Sequence, residues 1–383
     1  MKLAFVSWIM SSGSIIVGLN GALQKRFVLQ PQTQLIPGNV HRATTIQTGV
    51  GGKGQDVAIS MACLECTAGL QLAQFVGSGP EGDLVQSLLQ TIIGDTAATS
   101  LSVRTESAMR TCTTIVGSDE STELVEPSGI VTEEEQQALL EKLSTTVSDP
   151  SAICIMGSMP PGLPADMYAT IYKAVASANT LCVIDSVTGL EQMMKSLSGR
   201  ALLKINASEL CLLAGMKKST TEAGGIVLEE LIQAVKAFVI KFNALNALDG
   251  LAITDGKHSS FLVAFADTKF EMYKIRTPAL DANLVLYPIG AGDSVAAGTL
   301  ASWTSLESNK QFSQELHEAL EDRVQTTAFI ASERTRRMEA AFAFGLACGS
   351  ASCLKQENSV FAVDDVLKLF QEMAQPELVA TDS

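Results

Sequence analysis

The feature that most constrains this chain is an alternation of short apolar runs with amphipathic stretches, sustained from Ile15 to Thr254. The pattern predicts strands at about Ile15–Leu19, Leu70–Val76, Ala152–Met156, Leu181–Asp185, Ala201–Ile205 and Gly250–Thr254. Helical periodicity falls between many of them, over Asp56–Cys66, Gly82–Ile93, Pro164–Ala176, Ala207–Ala214 and Val227–Asn243. The stretch TEEEQQALLEKL after Val131 opens with a capping box, Thr132 and Glu135. Strands joined through helices run parallel and carry helices on both faces, so the expected class is α/β. A chain of 383 residues, 46% of them hydrophobic, buries such a core easily as one large domain or two.

Two stretches break the rhythm. Phe27–Gln47 and Val103–Val125 are rich in Thr, Val and Arg with hairpin-like spacing, and read as a small β-structured flap. The corresponding lid segments are expected at about 20–48 and 103–127. Residues 305–337 are charged, end in RTRR, and read as a solvated helix pair or a mobile insert. Helices resume over Ala340–Leu354 and Val363–Met373. The domain is expected to span 13–373, with tails at 1–12 and 374–383.

Composition removes several function classes. A formal net charge of −14 argues against nucleic-acid partners and anionic membrane surfaces, though not against small anionic ligands in a local basic pocket. No apolar stretch reaches membrane-spanning length. The N-terminal lysine and short apolar run suggest a signal peptide, but a buried strand follows at once, so secretion is not expected. Three scattered histidines (His41, His258, His317) are too few for a histidine-built zinc site or a catalytic triad. Cys63 and Cys66 lie in a helical pattern without a second pair and read as buried thiols. Scattered cysteines fit a reducing compartment, either cytoplasm or an organelle stroma.

Glycine-rich turns carry the chemistry. GVGGKGQD (Gly49–Asp56) satisfies G-x-G-x-x-G, yet residues 68–78 lack the acidic residue a dinucleotide fold requires, and Gly54 stands where a phosphate loop needs Ser or Thr. Gly51, Gly52 and Gly54 instead allow the backbone close to a polyhydroxylated or phosphorylated ligand, with Lys53 supplying charge. GAGDSVAAG (Gly290–Gly298) is a loop tipping into a helix, whose first N–H groups suit an anion. Asp293 at that position is either a helix cap or a group with its own chemical task. GSMPPG (Gly157–Gly162), the Lys204–Asn206–Glu209 group and Thr254–Gly256 each follow a strand, where open α/β sheets bind ligands. Asn206 and Glu209, three apart, suit either a helix cap or a hydrated magnesium ion.

These motifs resemble the phosphofructokinase-B type of carbohydrate kinase within the ribokinase-like superfamily. GGKGQDVA (Gly51–Ala58) and PIGAGDSVAAG (Pro288–Gly298) carry the resemblance, supported by GSMPPG and KINASEL in order and spacing. LNGALQK (Leu19–Lys25) and Met109–Gly129 look like the branch containing 1-phosphofructokinases and tagatose-6-phosphate kinases. The resemblance implies a three-layer ribokinase-like fold with a lid, and transfer of the γ-phosphoryl of ATP to a sugar hydroxyl. Asp293 is then the general base, and Gly290, Ala291 and Gly292 offer amides to the transferred phosphoryl. Gln24, Gly51, Gly52, Lys53, Asp56 and Ser158 face the sugar. Arg110 pairs with its existing phosphate, with Arg42 and Lys53 as helpers. Lys204, Asn206, Glu209, Thr254 and Gly256 serve the nucleotide, and Asn206 and Glu209 hold Mg²⁺ through water. A monovalent cation and a homodimer built through the lid are also compatible with the family.

Two sugar-binding positions depart from the family pattern. Gln24 stands for the family's aspartate and Asp56 for its asparagine, as though a carboxylate had moved between loops. Tyr287 replaces a common asparagine. The departures leave open a free-sugar or nucleoside acceptor, and a catalytically silent member acting as a binding protein.

Overall fold

The computed structural model describes residues 13–30, 33–117, 121–147, 149–197, 200–266, 269–281, 287–308 and 312–382. The expected tail at 1–12 therefore lies outside the described residues. The strands, in chain order, are β1 (Ser14–Val17), β2 (Ala22–Leu29), β3 (Ala43–Gly51), β4 (Gln71–Ser78), β5 (Ser102–Ala108), β6 (Thr111–Val116), β7 (Ser121–Val125), β8 (Ala152–Met156), β9 (Leu181–Asp185), β10 (Ala201–Asn206), β11 (Gly250–Thr254), β12 (Ser260–Ala266), β13 (Lys269–Ile275) and β14 (Glu377–Thr381). Ten form one sheet in the order β14-β13-β12-β11-β10-β9-β8-β1-β4-β5. From β11 through β5 the neighbours are parallel, while β12, β13 and β14 are antiparallel additions.

The apolar runs sort to two faces with strand period, as a sheet covered on both sides requires. On β1, Ile16 joins one core cluster while Ile15 and Val17 join the other. The helices Lys53–Cys63, Gly79–Ile93, Ala291–Ser308 and Glu333–Ser352 cover the first face. The helices Glu133–Thr146, Met167–Val175, Ala207–Leu213 and Leu228–Phe242 cover the second. Thr132 caps its helix with the expected reciprocal bond to Glu135. No helix of the described residues is long and apolar enough to cross a membrane.

The small sheet has the order β3-β2-β6-β7, with β2 and β6 parallel and the outer pairs antiparallel. It differs from the expected flap in one respect. Residues 102–108 do not belong to it, because β5 pairs in parallel with β4 at the edge of the large sheet. Val103 and Thr105 turn inward there, giving the alternation that read as a hairpin.

Three further expectations need correcting. The helix expected from Asp56 begins at Lys53, so Lys53 and Gly54 stand in its first turn behind the N-cap Gly52. Gly54 is required there, since a Cβ on it would lie 2.3 Å from Gly18 Cα. Of the two readings of 305–337, the described residues follow the helix pair, but it is not merely solvated. Leu316, Leu320 and Val324 of the Gln314–Thr326 helix enter the core, and Arg323 forms a buried pair with Glu339. Finally, 377–381 is no loose tail, because β14 pairs with β13.

Candidate active site

The parallel strands end along one edge, and their C-terminal residues open onto a cavity of about 470 Å³ roofed by the small sheet. Gly18 and Asn20 follow β1, Gly157 and Ser158 follow β8, and Asp185 closes β9. Asp293 enters from the first turn of the Ala291–Ser308 helix. Gln24 and Arg110 enter from the lid side, and Gly52, Lys53 and Asp56 from the start of the Lys53–Cys63 helix. Ligands of open α/β sheets bind at this edge, in the crevice beyond the strand ends.

Charge is concentrated at the floor. Asp185 takes a hydrogen bond from Lys53 Nζ on Oδ1 at 2.7 Å and from Lys204 Nζ on Oδ2 at 2.5 Å. Burial opposes its ionisation, but the two lysines outweigh burial and hold the carboxyl below its ordinary range. Burial equally opposes a charge on Lys53, yet Asp185 and Asp293 more than restore it, so its ammonium stays charged. Asp293 is 9% exposed. Burial and then the charge of Asp185 push its carboxyl up to about 7, while Lys53 and Lys204 restrain the rise. Burial and the charge of Asp293 also lift Asp56 well above the usual carboxylate range.

The helix mouth is shaped by Gly290, whose φ of +83° favours glycine. Its carbonyl accepts from Ser294 N at 2.9 Å and from Ser359 Oγ at 3.1 Å. The amide of Ala291 donates to Pro288 O at 3.2 Å, so one of the three expected amides is already engaged within the loop. Gly292 lies over the Lys204 ammonium, with a Cβ position 3.1 Å from Nζ.

On the sugar-facing side, Gln24 is buried and donates to Thr114 Oγ1 at 2.7 Å. Gly51 does not line the cavity; it backs Gln24, and a Cβ there would meet Gln24 Oε1 at 3.0 Å. Ser158 accepts from Asn20 Nδ2 at 2.9 Å. Arg110 lies at the cavity wall with Nη2 on Asn20 O (2.8 Å) and Nε on Gly21 O (3.2 Å). Arg42 is exposed and outside the cavity, contrary to its expected helper role.

At the other end, Asn206 and Glu209 form a reciprocal cap. Asn206 Oδ1 accepts from Glu209 N at 2.9 Å, and Glu209 Oε2 from Asn206 N at 3.0 Å. Glu209 lines the main cavity; Asn206, in register with Thr254 on β11, does not. Thr254 and Gly256 flank Asp255, which lines a neighbouring cavity of about 580 Å³ together with Lys257, His258, Lys274 and Arg276. Asp255 is held by Lys218 Nζ at 2.5 Å and Ile226 N at 2.7 Å. Among the described residues no three His, Cys, Asp or Glu side chains cluster as a metal centre.

Sequence reasoning missed Asp185, Asn20, Glu123 and Asn358, all of which line the main cavity. For Asp185 and Asn20 the available signal was their position just at or after a strand end.

The pfkB family of carbohydrate kinases matches residues 21–361 of the chain. The chain belongs to that family. It is a sugar kinase by that membership, with the large, mainly parallel sheet and small second sheet of the ribokinase-like fold. Solved structures share the pfkB architecture at low identity. Escherichia coli phosphofructokinase-2, in a tetrameric inhibited form, is 20% identical with a TM-score of 0.68, over 94% of this chain and 98% of that one. A protein described as a possible 1-phosphofructokinase from Thermotoga maritima is 16% identical with a TM-score of 0.65, over 96% and 99%.

Proposed function

We propose that this pfkB kinase transfers the γ-phosphoryl group of ATP to a hydroxyl of a sugar phosphate, with Asp293 as the general base. The observation that carries the reading is Asp293 itself. It is a nearly buried carboxyl, poised at about 7, at a helix mouth in the same cavity as Lys53 and Arg110. A base whose affinity for protons sits near the working pH is well matched to accept one from an attacking alcohol. The helix mouth adjoins the position where charge spreads over the transferred phosphoryl, and preorganised donors stabilise that charge. Lys53, kept protonated by Asp185 and Asp293, adds a fixed positive charge. The small sheet roofs the cavity, and its closure over bound substrates would limit transfer to water in place of the sugar.

The residues present fit a hydrated magnesium ion rather than a fully caged one. Glu209 offers one carboxylate to the cavity beside the Asn206 amide, and Mg²⁺ in nucleotide sites keeps several waters. Glu209 would hold it through those waters, with Asn206 fixing Glu209 through the reciprocal cap; when bound, the ion would neutralise phosphate charge. Lys204, Thr254 and Gly256 are assigned to the nucleotide; for Thr254 and Gly256 the support is their position at the end of β11, on either side of Asp255, which lines the basic cavity. Escherichia coli phosphofructokinase-2 is described in complexes with fructose-6-phosphate and with potassium. By analogy, a hexose phosphate is the acceptor class and a monovalent cation an activator. The exposed outer lid residues Ile46 and Leu124 suit a homodimer through the lid.

Two observations favour a second reading. Arg110 already spends two donors on backbone carbonyls, and the lid carboxylate Glu123 lines the same cavity. Both features favour an uncharged acceptor, a free sugar or nucleoside. Transfer from ATP, measured over fructose 6-phosphate, fructose 1-phosphate, tagatose 6-phosphate, free hexoses and nucleosides, separates the readings. Loss of sugar-phosphate turnover in Arg110→Met supports the first, and an unaffected variant supports the second. Absence of transfer to every acceptor leaves the silent binding protein. Within the same assay, Asp56→Asn should impair turnover and Gln24→Asp with Asp56→Asn should restore it. A double variant worse than the single rejects the exchanged carboxylate.

A further inference from the structure

Midway along the lid strand β2 sits a charge that the reaction scheme above does not use. Arg26 is 5% exposed, and among the described residues no carboxylate lies within ion-pair distance of it. Its bonds go to neutral amides: Nη1 donates to Gln47 Oε1 at 2.9 Å, and Nη2 donates to Asn358 Oδ1. The guanidinium carbon lies 3.3 Å from the centre of the Tyr287 ring, which is 3% exposed. Among the described residues, neither the buried Arg26 Nε nor the buried Tyr287 hydroxyl has a hydrogen-bond partner. The charge of Arg26 reaches the Asp56 carboxyl, which it helps hold down. Without a direct ion pair the buried cation stays costly, and stacking on an aromatic face is one of the few neutral contacts that offset the cost.

The partners of this arginine belong to the catalytic framework. Tyr287 immediately precedes Pro288–Gly290, the loop that leads into the Asp293 helix. Asn358 adjoins Ser359, whose hydroxyl donates to Gly290 O at 3.1 Å and whose carbonyl accepts from Ser60 Oγ at 2.9 Å. A second tie runs parallel to the first, from Gln47 Nε2 on β3 to Gln356 Oε1 at 3.0 Å. Below these ties lies a cavity of about 370 Å³, walled by Val50, Ile59, Leu88 and Ile92. Apolar packing is therefore incomplete between this part of the lid and the two helices beneath it. The polar ties fasten it instead.

We propose that Arg26 and Tyr287 form a clasp that holds the lid where Gln24 and Asp56 face the Gly290–Asp293 helix mouth. They are positioning residues, acting through the 287–290 and 356–359 segments rather than on the substrate. The consequence for turnover rests on the kinase reading; the clasp itself does not.

Hydrogen exchange on the full chain, without substrate, reads the clasp directly. Arg26→Lys keeps a charge but loses the planar fork, and Tyr287→Leu loses the ring face. Each should speed exchange of amides in β2 and β3 by about 30-fold, the equilibrium equivalent of one desolvated cation–π contact. Amides of β8, β9 and β10 should exchange as in wild type. Tyr287→Phe keeps the ring and should match wild type throughout. In the transfer assay the first two variants should raise the KM for sugar and the ATP hydrolysed per sugar phosphorylated, with the KM for ATP unchanged. Lid exchange at the wild-type rate in both variants, or acceleration spread evenly over the large sheet, overturns the proposal. If wild type phosphorylates no acceptor, the kinase reading falls, and the exchange result alone decides the clasp.

Discussion

At the scale of single residues, the floor of the cavity is governed by Asp185. Its charge is one of the causes lifting Asp293 to about 7, against the opposing pull of the two lysines it binds, Lys53 and Lys204. A base must be deprotonated to act, so kcat/KM should climb as pH rises through about 7. Asp185→Asn removes a negative neighbour and frees Lys53 and Lys204. Both changes favour ionised Asp293, so the ascending limb should move to lower pH. A pH–rate profile of the variant checks this, and an unmoved limb counts against the assignment. Asp293, Lys53 and Asp56 were legible in the sequence because glycines beside them betray close backbone approach. Asp185 was not, since a lone aspartate at the end of an apolar strand carries no pattern of its own. Its ligation by two lysines is a product of strand order, joining residues 53, 185 and 204 across three elements.

At the scale of elements, the turn before the Asp293 helix is tightly constrained. A Cβ on Gly290 would lie 2.4 Å from Ser359 Oγ, at a φ that L side chains rarely adopt. Gly290→Ala should destabilise the fold by about 1–3 kcal/mol. The expected readout is a lower denaturant midpoint at unchanged slope, with loss of transfer. The six parallel strands read from the sequence all form, because continuous apolar runs bounded by turns have few alternatives in a parallel sheet. Residues 103–108 were assigned to the wrong sheet because strand period reveals a buried face but not the partner. The hairpin β12–β13 and the added β14 went unread for a related reason. The hairpin forms by local pairing, without the helical spacer that marks the parallel strands, and β14 reaches the edge from the far end of the chain, where no local pattern names its partner.

At the scale of the whole molecule, the lid leaves apolar side chains on its outer face: Ile46 and Leu124 are 61% and 57% exposed. If two lids pair, Ile46→Lys should place a desolvated charge in the interface and shift sedimentation from dimer to monomer. A wild-type chain that sediments as a monomer removes the lid dimer. The segment 305–337 shows where composition misleads. Its charges describe one side of the Gln314–Thr326 helix, while Leu316, Leu320 and Val324 at helical spacing pack into the core on the other. Arg323 looked like solvated charge and is instead paired with Glu339 in the interior, a contact formed only when two helices dock.

The measurement that tests the account most directly is phosphoryl transfer from ATP by wild type and Asp293→Asn, beside nucleotide binding to both. The account predicts turnover reduced by about 10²–10⁴-fold in the variant with binding retained, as expected for loss of a positioned base. An Asp293→Asn protein that still phosphorylates the sugar at the wild-type rate would contradict it.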